Sequence, residues 1–130
     1  MVRSVTAYDV FLEDCPARTT LSVIGDAWSA VVIVALNERP RQYTELRARI
    51  GGISKTMLTR TLRRLGDHGL VRMSPDRERR YELTALGESL LPPVVALVEW
   101  AEAHTGELLD HIDQQRGNGS VPSPSLPSQA

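Results

Sequence analysis

The side chains best suited to chemistry in this sequence are its basic residues, because they are concentrated in one stretch. Residues 41–80 contain eleven Lys and Arg and four Asp and Glu. Residues 1–40 hold three basic and five acidic residues, and residues 81–130 hold one and seven. Cations at this density bind phosphates, and the counterions that they release drive association with nucleic acid. The charge distribution therefore predicts a phosphate-binding surface in the middle of the chain.

Two helices joined by a glycine turn are predicted within this basic stretch. The first spans about Gln42 to Ile50, and Gly51-Gly52 ends it. Ser54 is a suitable N-cap for the second. The second helix has an apolar stripe that we expect to face the core: Leu58, Leu62 and Leu65. Its opposite face carries side chains able to donate hydrogen bonds to phosphates or base edges: Lys55, Thr56, Thr59, Arg60 and Arg63.

A basic hairpin is predicted after Gly69. Residues 70–73 and 80–84 have the composition of two strands, and Ser74-Pro75-Asp76 forms the turn between them. We expect three arginines near the tip of this hairpin: Arg77, Arg79 and Arg80.

Helices are also predicted on both sides of the basic stretch. The apolar spacing from Thr19 to Asn37 is helical, with a break at Gly25-Asp26. Thr84 caps a long apolar helix of about residues 85–115, which Pro92-Pro93 should kink or divide. The fold class is mainly α with a small β-hairpin.

This order of elements is that of a winged helix-turn-helix, with additional helices at both ends. In such a fold the second helix enters the major groove of duplex DNA, while the hairpin, or wing, reaches the adjacent minor groove or its phosphates. Lys55, Thr56, Thr59 and Arg60 lie in the N-terminal half of the helix and are expected to contact bases. We predict a sequence-specific DNA-binding transcription regulator; the alternative is a winged-helix module that contacts proteins and not DNA.

The chain also resembles the HxlR-type winged-helix regulators, which are relatives of MarR-like regulators. The resemblance runs from Cys15 to about His104 and rests on the ordered spacing of several stretches: Cys15-Pro16, Gly25 to Trp28, Tyr43 to Leu46, Ile53-Ser54 through Leu58, Leu62 and Leu65, Gly69 to Val71, Tyr81 to Thr84 with Gly87, and Trp100. The chain departs from the family in having Asp26-Ala27 before Trp28 and Gln42 at a place that is usually basic. Its wing is also shorter and lacks the family's proline pair.

The resemblance implies a homodimer that is built from the N-terminal segment and the long C-terminal helix. A symmetric dimer would present two recognition helices to a pseudo-palindromic operator. The candidate DNA contacts are Arg41, Gln42, Tyr43, Ser54, Lys55, Thr56, Thr59, Arg60, Arg63, Arg64, Arg77, Arg79 and Arg80.

Cys15 is the single cysteine of the chain and precedes Pro16, so its backbone is expected to be extended. It is either a buried spacer or a sensor, because in some members of the family the matching cysteine responds to oxidants or electrophiles. Without a second cysteine, a sensor here must form an intersubunit disulfide, a mixed disulfide with a small thiol, or an adduct.

Several other classes of function are disfavoured. The longest apolar run, from Ala30 to Leu36, has seven residues, whereas a membrane span needs roughly 20. The N-terminus lacks the apolar stretch of a secretory signal, so we expect a cytoplasmic protein. The three histidines are too scattered to bind a metal, and no catalytic triad or phosphate-binding glycine loop is present. We therefore expect no enzyme activity, no metal and no cofactor.

The sequence divides into three predicted parts. Residues 1–18 form an N-terminal arm, and residues 19–116 form the winged-helix domain with its C-terminal dimerisation helix. Residues 117–130 are rich in Gly, Ser and Pro, which predicts a disordered tail.

Overall fold

The computed structural model describes residues 8–117, so the first seven residues of the predicted arm and residues 118–130 of the predicted tail lie outside the described residues. Six helices and one hairpin follow one another within this range. They are α1 (Pro16–Ile24), α2 (Ala27–Glu38), α3 (Tyr43–Arg49), α4 (Lys55–Asp67), β1 (Val71–Met73), β2 (Tyr81–Leu83), α5 (Ala85–Ser89) and α6 (Leu91–Gly117).

Helices α1 and α2 separate at Gly25-Asp26, as the sequence predicts. Cys15 is the N-cap of α1 with an extended backbone (φ −73°, ψ 122°), and Pro16 occupies the first helical position, where no amide hydrogen is needed. Gly25 is the C-cap of α1, where its amide donates to the carbonyl oxygen of Leu21, and a Cβ at this position would lie 2.9 Å from that oxygen. Asp26 then starts α2 with an extended backbone, although its side chain makes no capping hydrogen bond.

The core lies where α2, α3 and α4 pack together. Val32 and Ile33 of α2, Leu46 of α3 and Leu58 and Leu65 of α4 are all fully buried. The predicted apolar stripe of α4 therefore does face the core. Truncating one of these side chains to Ala would cost about 2–5 kcal/mol of stability, since the surroundings of a packed core relax only in part.

The hairpin is antiparallel and pairs Val71 with Leu83 and Met73 with Tyr81. Arg41 extends it as an isolated bridge, because its backbone exchanges hydrogen bonds of 3.1 and 2.7 Å with Tyr81. The first strand begins one residue later than predicted. The amide of Leu70 donates instead to Leu65 O at 2.9 Å, in a helix-ending turn that Gly69 permits with φ +74°.

The C-terminal helical region is divided as predicted, but the break precedes the prolines. Helix α5 ends at Ser89 and α6 starts at Leu91, so Pro92 and Pro93 lie in the first turn of α6. Prolines are tolerated there because first-turn amides have no partner within the helix. Gly87 of α5 lies directly against the Leu70 carbonyl, where a Cβ would overlap the oxygen.

Residues 96–117 belong to a second compact unit. Its part of α6 exposes large apolar side chains: Leu97, Trp100, Leu108, Leu109 and Ile112. The ring of Trp100 stacks on that of His104, with 4.5 Å between centroids and 15° between planes.

Among residues 8–117, no single helix is both long and apolar enough to span a membrane. Only α1 and α2 together satisfy those criteria, and they bend by 66° at their junction.

Candidate nucleic-acid interface

The solvent face of α4 gathers the side chains that the sequence assigns to it. Five of them line one depression of the surface, and all five are exposed: Lys55, Thr56, Thr59, Arg60 and Arg63. Within residues 8–117, no carboxylate lies at ion-pair distance from the three cations of this face. Ser54, which is also a candidate contact, starts the helix because its Oγ accepts the Met57 amide hydrogen at 3.0 Å.

Tyr43 connects α3 to this face. Its hydroxyl lies 3.1 Å from the carbonyl oxygen of Lys55 and 3.0 Å from Oγ1 of Thr59. The ring is half-buried, so the side chain of Tyr43 serves partly to hold the first two turns of α4 against α3.

Gln42 connects the start of α3 to the wing. Its side-chain Nε2 donates to the Glu78 carbonyl at 3.0 Å, and its backbone amide donates to Oε1 of Glu45 at 2.7 Å. The latter bond lowers the pKa of Glu45 below its ordinary value. Two consecutive residues therefore fasten the wing and α4 to the same end of α3.

The wing tip is fixed by hydrogen bonds around Asp76. Its Oδ1 accepts from Ser74 Oγ at 2.9 Å and from the amides of Glu78 and Arg79 at 3.0 and 3.3 Å. The Ser74 bond is the main reason why the pKa of Asp76 is lowered. Arg79 adopts φ +54°, and its side chain and that of Arg77 are exposed, whereas Arg80 forms an ion pair with Glu78.

Arg41 lies in the interior and not on the face of α4. It is 7% exposed, and its guanidinium donates to Ala35 O at 3.1 Å and to Oε1 of Glu38 at 2.6 Å. Arg49 holds the same carboxylate through bonds of 2.8 and 2.7 Å. The hydrogen bond from Arg49, supported by Arg41, lowers the pKa of Glu38 from 4.5 to about 2. Because its guanidinium is held in the interior, we no longer expect Arg41 to contact DNA.

Two further cations of the basic stretch also have acidic partners. Nη1 of Arg64 lies 3.7 Å from Oδ2 of Asp26, and Nη2 of Arg72 lies 2.5 Å from Oε2 of Glu82. Arg64 is thus half-buried and directed towards the junction of α1 and α2, away from its neighbours on α4.

Arg47 is a candidate contact that was not predicted from the sequence. Arg47 is exposed and shares a surface groove with Tyr43, Ser54 and Lys55, between α3 and the start of α4. It has no acidic partner among the described residues. Its place one helical turn after Tyr43 was the available signal.

Cys15 is 8% exposed, and its Sγ accepts the amide hydrogen of Ala17 at 3.3 Å. In the part of the chain that the structure describes, no three side chains of His, Cys, Asp and Glu come together as metal ligands.

The comparisons with known proteins agree on one family. The model of the HxlR-like helix-turn-helix family matches residues 23–108. The uncharacterised HTH-type transcriptional regulator YtfH of Escherichia coli K12 is 34% identical over 113 residues, which cover 82% of this chain and 88% of YtfH. The solved structure of YtfH from Salmonella typhimurium superposes with a TM-score of 0.71 at 30% identity, covering 82% of this chain and 98% of that one.

A redox regulator is also among the similar structures. The structure of HypR in its oxidised form matches with a TM-score of 0.59 at 31% identity, and the match covers 68% of this chain and 96% of the HypR chain. The family match, the related sequences and the winged-helix architecture lead to one conclusion: the chain belongs to the HxlR-like family of helix-turn-helix transcriptional regulators.

Proposed function

We propose that this regulator binds duplex DNA as a homodimer, with α4 in the major groove and the wing at the adjacent minor groove. One observation carries the proposal: Lys55, Arg60 and Arg63 line a single exposed depression with Thr56 and Thr59, and none of the three cations has an acidic partner among residues 8–117. Unpaired cations are those that phosphates neutralise at the lowest cost, because no internal ion pair must first be broken.

The proposed contacts fall into two groups. Lys55, Thr56, Thr59 and Arg60 occupy the first half of α4, the part of a recognition helix that reaches base edges. The remaining contacts are to phosphates or to the minor groove: Arg47, Ser54, Arg63, Arg77 and Arg79. Gln42, Tyr43, Arg64 and Arg80 then position these groups, since each has an internal partner.

Exposed apolar side chains in both candidate dimer segments support the homodimer. Phe11 and Leu12 before α1 are 82% and 61% exposed, and Leu97 and Trp100 of α6 are 62% and 52% exposed. Large apolar side chains in this number favour burial against another subunit. A two-fold dimer would present its recognition helices about 34 Å apart, the length of one DNA turn, to a pseudo-palindromic site in the cytoplasm.

A selection experiment tests DNA binding. Duplexes with a randomised central region are captured on the purified protein, eluted and sequenced, in parallel with the triple variant Lys55→Ala, Arg60→Ala, Arg63→Ala. We expect the parent to enrich an inverted repeat and the variant to enrich none. A parent that enriches no sequence and retains no duplex at low salt contradicts the proposal.

We further propose that Cys15 makes DNA binding responsive to oxidants or electrophiles. Two observations support this proposal. The chain is similar to the redox regulator HypR, and Sγ of Cys15 lies at the start of α1, next to the proposed dimer segment. With one cysteine per chain, modification must join two subunits, add a small thiol or form an adduct. Treatment with diamide or benzoquinone should change affinity for the selected site in the parent and not in Cys15→Ser. Equal responses would remove Cys15 from the mechanism.

A further inference from the structure

The hydroxyl groups of Tyr43 and Thr59 form a relay at the surface of α4. The Tyr43 hydroxyl is 3.1 Å from the Lys55 carbonyl oxygen and 3.0 Å from Thr59 Oγ1. A tyrosine hydroxyl has one hydrogen, and a carbonyl oxygen only accepts. When both bonds are present, Tyr43 donates to Lys55, and Thr59 must therefore donate its own hydrogen to Tyr43.

This arrangement fixes the direction of hydrogen bonding at Thr59. A threonine hydroxyl ordinarily rotates to donate or accept as its neighbour requires. Here its one hydrogen is committed to Tyr43, so the exposed side of Oγ1 offers only lone pairs. Thr59 lies on the exposed depression of α4, between Lys55 and Arg63 along the helix.

The groups that Oγ1 of Thr59 can meet in the major groove differ in donor capacity. Adenine presents its N6 amino group there and cytosine its N4 amino group, whereas guanine presents only N7 and O6 and thymine only O4 and a methyl group. A hydroxyl that can only accept therefore forms a hydrogen bond with adenine or cytosine. Opposite guanine or thymine it faces another acceptor, and no hydrogen bond forms.

We propose that Tyr43 is a positioning residue that makes Thr59 selective for an amino base, adenine or cytosine, at the position of the operator that Thr59 faces. The inference rests on the proposed DNA binding and deepens it, because it states which bases are chosen and through which side chain. The other four members of the α4 face include three cations that only donate, so Thr59 supplies an acceptor at a place where donors dominate.

Selection from randomised duplexes with four proteins tests this relay. They are the parent, Tyr43→Phe, Thr59→Val and the double variant. Phe keeps the half-buried ring and lacks only the hydroxyl, whereas Val keeps the branched shape of Thr and has a methyl group in place of the hydroxyl. The operator position that Thr59 faces is identified as the one at which Thr59→Val and the parent differ in base preference.

At that position we expect the parent to prefer adenine or cytosine by roughly two- to tenfold, the range of one neutral hydrogen bond. Tyr43→Phe should reduce this preference towards none, because the freed hydroxyl of Thr59 can then donate to guanine or thymine. In the Thr59→Val background, Tyr43→Phe should change the base preference no further. A residue that only supports the fold would lower affinity for all sequences equally and leave the preference unaltered.

The outcomes separate this inference from the proposed function. The relay is overturned, and DNA binding is left intact, if Tyr43→Phe shows the same base preference as the parent at that position. The same holds if the parent prefers guanine or thymine there. The relay is equally overturned if Thr59→Val alters no position. If Tyr43→Phe does not fold, the parent and Thr59→Val still decide whether an amino base is chosen. Only a parent that enriches no sequence and retains no duplex at low salt also contradicts the proposed function.

Discussion

The basic residues of the middle stretch form two groups that differ in their partners. Five of the eleven cations within residues 41–80 pair with a carboxylate of the same chain: Arg41, Arg49, Arg64, Arg72 and Arg80. The other six have no such partner among the described residues: Arg47, Lys55, Arg60, Arg63, Arg77 and Arg79. The net charge of residues 41–80 does not distinguish the paired cations from the unpaired ones. The difference divides the basic stretch into five cations that are paired within the chain and six that have no acidic partner among the described residues, and it is the second group that we propose to bind phosphates.

The largest expected effect separates the two groups on a single helix. Replacing Arg60 and Arg63 together by Met should weaken binding to the selected operator about a hundredfold, at about tenfold for each cation removed. Arg64→Met, whose cation is directed to Asp26, should change affinity by less than about threefold. Fluorescence anisotropy with a labelled duplex measures both. Similar reductions in affinity for the two proteins would remove the distinction between free and paired cations.

The converse effect is expected on stability. Arg41→Met should lower the free energy of unfolding by about 2 kcal/mol, because the Ala35 carbonyl and Glu38 lose a buried donor. Arg60→Met should stay within about 0.5 kcal/mol of the parent, since its side chain is exposed and unpaired. Urea unfolding followed by circular dichroism measures the two values. If Arg60→Met costs as much stability as Arg41→Met, the assignment of roles is wrong.

A pH dependence tests the role of Glu38, the carboxylate that Arg41 and Arg49 share. Hydrogen bonding from Arg49 holds the pKa of Glu38 at about 2 instead of 4.5, so its ionised form stabilises the fold. This stabilisation is complete above pH 4.5 and is lost as the pH falls towards 2. Glu38→Gln should therefore be less stable than the parent at neutral pH, and the difference should shrink over that window. We expect a modest effect, because Glu38 is partly exposed. A difference that is constant from pH 7 to pH 2.5 would contradict this role.

The smallest effect concerns the tether between α3 and the wing. Gln42→Ala removes the hydrogen bond to the Glu78 carbonyl and should lower operator affinity about threefold, because the wing is then less well positioned. Since Gln42 is uncharged, the salt dependence of binding should not change. A flatter salt dependence in Gln42→Ala would indicate that this position acts on phosphates by some other route.

Local patterns were enough to predict the helices and the hairpin. Ser54 and Thr84 cap helices where polar side chains precede an apolar repeat, and Gly25 and Gly69 end helices where a Cβ or an ordinary φ is unfavourable. The apolar stripe of α4 was predicted from its spacing alone. The break before Pro92 was displaced by two residues, because prolines fit the first turn of a helix as well as they interrupt its middle.

The partners of charged side chains were not predictable in the same way. Arg41 and Glu38 are three residues apart, but they meet after α2 has ended, because Arg39 is extended and the backbone of Arg41 pairs with Tyr81 beside the hairpin. Arg72 and Glu82 meet through the register of β1 and β2. The contact from Tyr43 to Thr59 spans sixteen residues and depends on how α3 packs on α4. Such contacts follow from tertiary packing, which periodicity does not encode.

The most direct test of the account compares two wing arginines by the salt dependence of DNA affinity. Arg79 is exposed and unpaired among the described residues, whereas Arg72 pairs with Glu82. We predict that log affinity falls steeply with log salt in the parent and that Arg79→Gln reduces this slope by about one for each phosphate that the arginine no longer neutralises, while Arg72→Gln leaves it unchanged. A flat slope in the parent, or an equal reduction in both variants, would contradict the account.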